Sequence, residues 1–448
     1  MGTSRLSGIG ASSHVCGELV EARDATLQHP AKPPSQYWIA GLRRTHVARE
    51  WDALGSNAKE MPATNLHVHF GGSIPAETVA RFTPYTGAFE EALERISRKQ
   101  LYVPDAKKGL APYLQHYTPT SRAVPLPDPK YAREVARDIA YNYAKDNVVV
   151  AELRINPFRD FFSIHRVPPN ELSSYSEAYT RAIAAGLNEG SEAARAQGLS
   201  PTHFGVIFDG NRFTPGEKDP KESLRKAAII VDRMYEEAIR QVKIDGNPMK
   251  VCAVGICGLE EGHPATAFKS SIDKIHAHNK EMIESGQPDK VLGISIHAGE
   301  VGTSEEASKA VLDAIMLASS PHTPVGRIGH GVLASQTKVK EGVEAMGVRL
   351  SDVHFEICPT SNFQIIKELD ENAPHPGLAF ENKSINSDND ALSGPVGKEA
   401  RVAGASPSQA AQMVLDGISW SFRLSQLGIK DEVLEKTNQK FRDLGIDL

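Results

Sequence analysis

Four short stretches of this 448-residue chain carry residues that ligate metals or move protons, each beside small residues that leave room for a ligand. The first is Asn65–Leu66–His67–Val68–His69–Phe70–Gly71–Gly72–Ser73. Two histidines two apart on a strand project from one face. The second is an apolar run that ends in Ser295–Ile296–His297–Ala298–Gly299–Glu300. His330 stands inside Arg327–Ile328–Gly329–His330–Gly331, and Asp388 inside Ile385–Asn386–Ser387–Asp388–Asn389–Asp390. Three histidines and one carboxylate make an N3O set suited to zinc, with a position left for water. Iron, cobalt and manganese accept similar donors, and affinity order alone does not choose among them. A divalent metal brings the deprotonation of its water near neutral pH. His330 would then orient or deprotonate that water, and Glu300 would deliver a proton to the substrate.

Such residues act together only if the fold brings them to one place. Short apolar strands are predicted at Leu66–Phe70, Asn147–Arg154, His203–Asp209, Val251–Cys257, Val291–His297, Val325–His330, Val353–Cys358 and Lys383–Asp388, with helical patterns between most of them. This alternation predicts an α/β fold with a parallel sheet and helices outside it. Eight units predict a closed (β/α)8 TIM barrel, whose C-terminal strand ends line one mouth. An open doubly wound sheet is the alternative, but no strand is followed by a G-x-G-x-x-G loop. Residues 1–60 read as an N-terminal extension, Gly/Ser-rich at its start, broken by Pro30, Pro33 and Pro34, with a helix over about 45–58. It packs on the main domain, mediates association or is a mere tail. Residues 61–448 read as the barrel, closed by two helices, one from Ser406 as N-cap and Pro407 as first position to Leu424, the other over Lys430–Leu444.

Composition narrows the function classes. A 40% hydrophobic and 24% charged chain is that of a globular protein with a sizeable core. A net charge of −6 without a basic run disfavours nucleic acid as a partner. No apolar run approaches the ~18 residues of a membrane helix, and the N-terminus lacks a secretory pattern. Cys16, Cys252, Cys257 and Cys358 form no C-x-x-C pair, so reduced thiols and a cytoplasmic location are expected. Nothing in the pattern fixes an oligomeric state.

Taken together, His67-x-His69 with Gly72, Ser295–Ile296–His297–Ala298–Gly299–Glu300, Gly329–His330–Gly331, Cys358–Pro359–Thr360–Ser361–Asn362 and Asn386–Ser387–Asp388 resemble the adenosine deaminase family, in its order, over about 63–423. The resemblance implies one zinc per chain held by His67, His69, His297 and Asp388. It implies that Glu300 protonates purine N1 and that His330, assisted by Asp388, prepares the water that attacks C6, releasing ammonia from a small-molecule purine substrate. It also implies substrate contacts at His69, Gly71, Gly258 and Asn389. Two positions depart from the family pattern. Gly71 stands where adenosine-specific members carry an aspartate that meets the ribose 5′ end, which opens space for a bulkier or anionic 5′ group. Asn389 replaces the second aspartate of an Asp-Asp pair and keeps hydrogen-bonding ability toward N7 without the charge. The alternatives are hydrolysis of an N6-substituted adenine nucleotide on the same barrel, and a catalytically silent binding protein.

Overall fold

The computed structural model describes residues 46–82, 109–110, 113, 121, 124–158, 171–214, 216–320 and 326–448. The expected calls on residues 1–45, Cys16 among them, and on Val325 lie outside these.

Eight strands form one parallel sheet in sequential order: β1 (Ala63–His69), β2 (Val148–Ile155), β3 (His203–Asn211), β4 (Val251–Cys257), β5 (Gly293–Ala298), β6 (Arg327–His330), β7 (His354–Ile357) and β8 (Lys383–Ile385). Nearly every strand residue is buried, because helices cover the outside of a parallel sheet and side chains fill its inside. The barrel closes where the Asp388 amide donates to His67 O at 3.0 Å and the His69 amide donates to Asp388 O at 2.8 Å. Asp388 itself lies past the end of β8, which stops at Ile385 rather than running to Asp388 as expected.

The helices follow the expected rhythm: Pro129–Lys145, Leu172–Ala196, Pro220–Val242, Lys269–Glu284, Ser304–Ala318 and Gln336–Ala345. The Asp128 and Asp219 carboxylates accept from the second helical amide, each followed by proline at the first position. After β7 the helix is Pro359–Ile365, earlier than the sequence pattern suggests, since Pro359 starts it directly at the strand end. The C-terminus holds three helices rather than two, Pro407–Trp420, Phe422–Leu427 and Lys430–Asp443. The break falls at Ser421, whose hydroxyl caps the second of them. The Ser406 capping box forms as its sequence implied. Helix 46–54 packs Trp51 into the core and donates from its indole to Ala405 O at 2.8 Å.

Candidate active site

His67, His69, His297, Glu300, His330 and Asp388 converge at the C-terminal mouth of the barrel. His67 Nε2 is 2.9 Å from His297 Nε2, and His69 Nε2 is 3.3 Å from the same atom. Asp388 Oδ1 lies 3.4 Å from His69 Nε2 and 3.9 Å from His67 Nε2. Glu300, His330 and Asp388 form a second group, with His330 Nε2 3.4 Å from Glu300 Oε1.

The second nitrogen of two of these rings decides what the first can do. His67 Nδ1 faces Glu356 Oε2 at 2.8 Å, and His297 Nδ1 faces Ile256 O at 3.0 Å. Both partners accept, so both rings carry their proton on Nδ1 and turn a bare lone pair inward. Burial first, then the facing imidazoles and Arg154, lowers both imidazoles well below their usual range, so protonation does not relieve the contact. Lone pairs 2.9 Å apart repel unless a cation lies among them. With Asp388 alongside, these residues fit a divalent cation such as zinc.

Two residues hold strained backbone to reach this point. His330 has φ +65° and Asp388 φ +62°, left-handed values that side chains rarely adopt. Gly329 permits a close approach to His67, since a Cβ there would lie 2.6 Å from His67 Cε1.

Beneath the site runs a buried ionic layer inside the barrel. Arg154 Nη2 donates to Glu356 Oε2 at 2.6 Å, Arg327 Nε lies 2.6 Å from Glu356 Oε1, and Arg327 Nη2 donates to Glu152 Oε2 at 2.6 Å. Burial opposes the Glu356 charge, but Arg327 and Arg154 outweigh it and hold the carboxyl below its ordinary value. Glu356 is thus an anion that orients His67.

Glu300 is the opposite case. Burial, then Asp388 and Glu260, raises its carboxyl well above the usual range, which favours its protonated form. Burial also pushes Asp388 up to about 6, against hydrogen bonds from Ser361 and Tyr113. Ser361 Oγ donates to Asp388 Oδ2 at 2.6 Å, and the Tyr113 hydroxyl donates to the same oxygen at 3.3 Å. Burial holds His330 down at about 3. Asn362 Nδ2 donates to His330 Nδ1 at 2.9 Å, which leaves the His330 proton on Nε2, facing Glu300.

The remaining expected positions are less uniform. Asn389 is buried and donates to the Tyr113 hydroxyl at 2.7 Å. Its partner in the first motif is Gly72, where a Cβ would lie 1.7 Å from Asn389 Oδ1. Gly71 is half-buried in the turn Phe70–Gly72 after β1. Gly258, at φ +91°, packs beside Phe213 rather than against the histidines. What ties its segment to the site is Glu260, whose carboxylate accepts from the Gly299 and Glu300 amides at 3.0 Å each. Cys358 Sγ comes near His67 and His330, but burial raises its thiol well above the ordinary value.

Tyr113, Glu260 and Glu356 were not singled out from sequence, and Asn362 was quoted without a role. Glu356 had a signal, a lone carboxylate in the apolar run His354–Phe355–Glu356–Ile357. Arg154 and Arg327 share it.

An eight-stranded α/β barrel with a buried polyhistidine–carboxylate cluster at its C-terminal mouth is an arrangement suited to metal-dependent hydrolysis. The sequence model of the family described as Adenosine deaminase matches residues 62–422, and the chain belongs to that family of hydrolytic deaminases. An adenosine deaminase from Vibrio parahaemolyticus is 24% identical over 396 residues, covering 86% of this chain and 98% of the relative. Among solved structures, an Arabidopsis N6-mAMP deaminase superimposes with a TM-score of 0.57 at 18% identity, covering 85% of this chain and 99% of that one. An amidohydrolase from Burkhoderia ambifaria, with bound Zn, gives 0.56 at 19% identity, covering 87% and 94%. Among the described residues no helix is long and apolar enough to cross a membrane.

Proposed function

We propose that this protein hydrolyses the 6-amino group of an adenine nucleoside or nucleotide whose 5′ end is substituted, using one zinc ion per chain. The observation that carries the chemistry is the convergence of His67, His69 and His297 on one point, with Asp388, Glu300 and His330 around it. His67, His69, His297 and Asp388 would hold the metal, which when bound polarises a water and brings its deprotonation near neutral pH.

The protein's own groups then divide the proton work. Glu300, kept protonated by burial and by Asp388, delivers its proton to purine N1 and makes C6 more electrophilic. Asp388 accepts a proton from the attacking water. His330 carries its proton on Nε2 in this hydrogen-bond arrangement, so it donates toward the developing oxygen at C6 rather than acting as the base. The sequence-based reading has His330 orient or deprotonate the water, and this arrangement favours the first role. The mouth is buried around these groups, which strengthens each of these interactions over its value in water.

Specificity rests on Gly71 and Asn389. Glycine at 71 removes the charge that would repel an anionic 5′ group and the volume that would exclude a bulky one. Asn389 lies beside Gly72 with its amide anchored on Tyr113 and offers the purine a neutral hydrogen-bonding edge. The similarity to an N6-mAMP deaminase structure favours a second substrate of the same class, an N6-substituted AMP, which would release an amine in place of ammonia.

The specificity experiment is steady-state kinetics of wild type and Gly71→Asp on adenosine, AMP, 5′-thio-substituted adenosines and N6-methyl-AMP. The wild type should prefer a 5′-substituted member, and Gly71→Asp should shift the kcat/KM ratio toward adenosine. Adenosine as the best wild-type substrate, with no shift in the variant, contradicts the 5′ reading.

A further inference from the structure

At the end of the barrel opposite His297 and Asp388, where β3 and β4 begin, a cavity of about 160 Å³ lies between the helices Leu172–Ala196 and Phe422–Leu427. Arg195, His203, Lys250 and Arg423 all line it. One carboxylate, Glu192, is also in the wall, so with His203 neutral three cations face one anion.

Glu152 acts on Arg423, but two features mark the rest of this charge as largely uncompensated. Burial, then Arg423 and Arg195, pushes the Lys250 ammonium down to about 8, with no carboxylate among the groups acting on it. His203 is lowered by burial and by Arg423, with Lys250 and Lys436 adding to the effect and Glu432 alone opposing it. Thr202, 6% exposed and in the same wall, has a hydroxyl oxygen with no hydrogen-bond partner among the described residues. Like charges gathered around a cavity oppose folding unless an anion joins them, and a buried hydroxyl left unpaired is costly.

We propose that this cavity is an anion site that takes a phosphate group, free or on a small phosphorylated metabolite. Tetrahedral phosphate oxygens accept simultaneously from an ammonium, from guanidinium forks and from a hydroxyl, which is the donor set of Lys250, Arg423, Arg195 and Thr202. The cavity has room for a phosphate tetrahedron. None of the four residues belongs to the site at the mouth, and the site stands whether or not the substrate assignment does.

The test is calorimetric titration with inorganic phosphate, and separately with AMP, against potassium chloride of equal ionic strength. Wild type, Lys250→Ala, Arg195→Ala and Lys250→Arg are compared, each checked by its thermal melt. Arg195 is exposed, so its variant keeps the test available if Lys250→Ala folds poorly. Saturable phosphate binding that weakens about tenfold or more in both alanine variants, and is kept in Lys250→Arg, is the expected result. A parallel weakening of AMP identifies a phosphomonoester occupant; AMP binding that ignores these variants identifies free phosphate. No saturable phosphate binding by wild type, or equal affinity in wild type and both alanine variants, overturns the proposal. Deamination by the variants should be unchanged in phosphate-free buffer.

Discussion

His67 and Glu356 are both fully buried, with Nδ1 and Oε2 2.8 Å apart, and Glu356 is shared by two arginines that reach it from β2 and β6. The carboxylate therefore fixes a ring tautomer at the mouth and neutralises a cationic layer below it.

Replacing that carboxylate should damage both functions. Glu356→Gln removes the charge facing Arg154 and Arg327, and breaking a buried ion pair in this way typically destabilises by about 3–5 kcal/mol. It should also lower metal affinity about 10–100-fold, the usual effect of losing a partner behind a histidine ligand. Chelator competition and a denaturant melt check these separately. A variant that melts like wild type and holds metal equally well would remove Glu356 from this role.

Glu300→Gln keeps the shape and loses the proton. Metal content should stay near that of wild type while turnover falls about 10²–10⁴-fold. In the wild type, raised pH eventually strips the Glu300 proton, so activity should fall on the alkaline side. That limb is measured as kcat/KM against pH. Near-normal turnover in the variant contradicts proton donation by Glu300.

Gly72→Ala places a methyl where Asn389 Oδ1 now sits. Asn389 must move, with overpacking of about 1–3 kcal/mol, and its hydrogen bond to Tyr113 should be lost with it. KM should rise with metal content unchanged, and Gly72→Ala with wild-type KM would show that Asn389 does not meet the substrate.

Glu399, beside the mouth, gives a pH signature of stability. Burial lifts its carboxyl from 4.5 to about 8, although the Thr360 amide and hydroxyl both donate to it. Between those values the unfolded chain has released this proton and the folded chain still holds it, so the unfolded state binds fewer protons. The Glu399 contribution is complete below the unfolded value and declines as pH rises toward 8. Glu399→Gln should flatten that decline between about pH 5 and 8 in Tm measurements. Parallel wild-type and variant curves contradict the assignment.

The barrel was legible because its strands are buried on both faces and read as apolar runs with helical periodicity between them. His67, His69, His297, Glu300 and His330 were legible because each ends a strand or the turn after it. Asp388 was legible as a residue but not as a position, since β8 stops at Ile385 and a backbone bridge to β1 carries Asp388 the rest of the way. Tyr113 was not legible, because its contact with Asp388 spans 275 residues and no local pattern encodes it. Glu260 was missed for a related reason: its partners are backbone amides on the next strand's loop, which leave no trace in side-chain spacing. The extra break at Ser421 lies in a continuous helical pattern and arises from capping by its hydroxyl and from Glu152 accepting that hydroxyl at 2.8 Å.

The most direct measurement is release of ammonia from AMP and other 5′-substituted adenine nucleosides by purified protein, with metal per chain determined on the same sample. The account predicts turnover with about one zinc per chain, loss of turnover on chelation and its return with added zinc. Full turnover by protein freed of metal, or no turnover of any 6-aminopurine by protein carrying one zinc per chain, would contradict it.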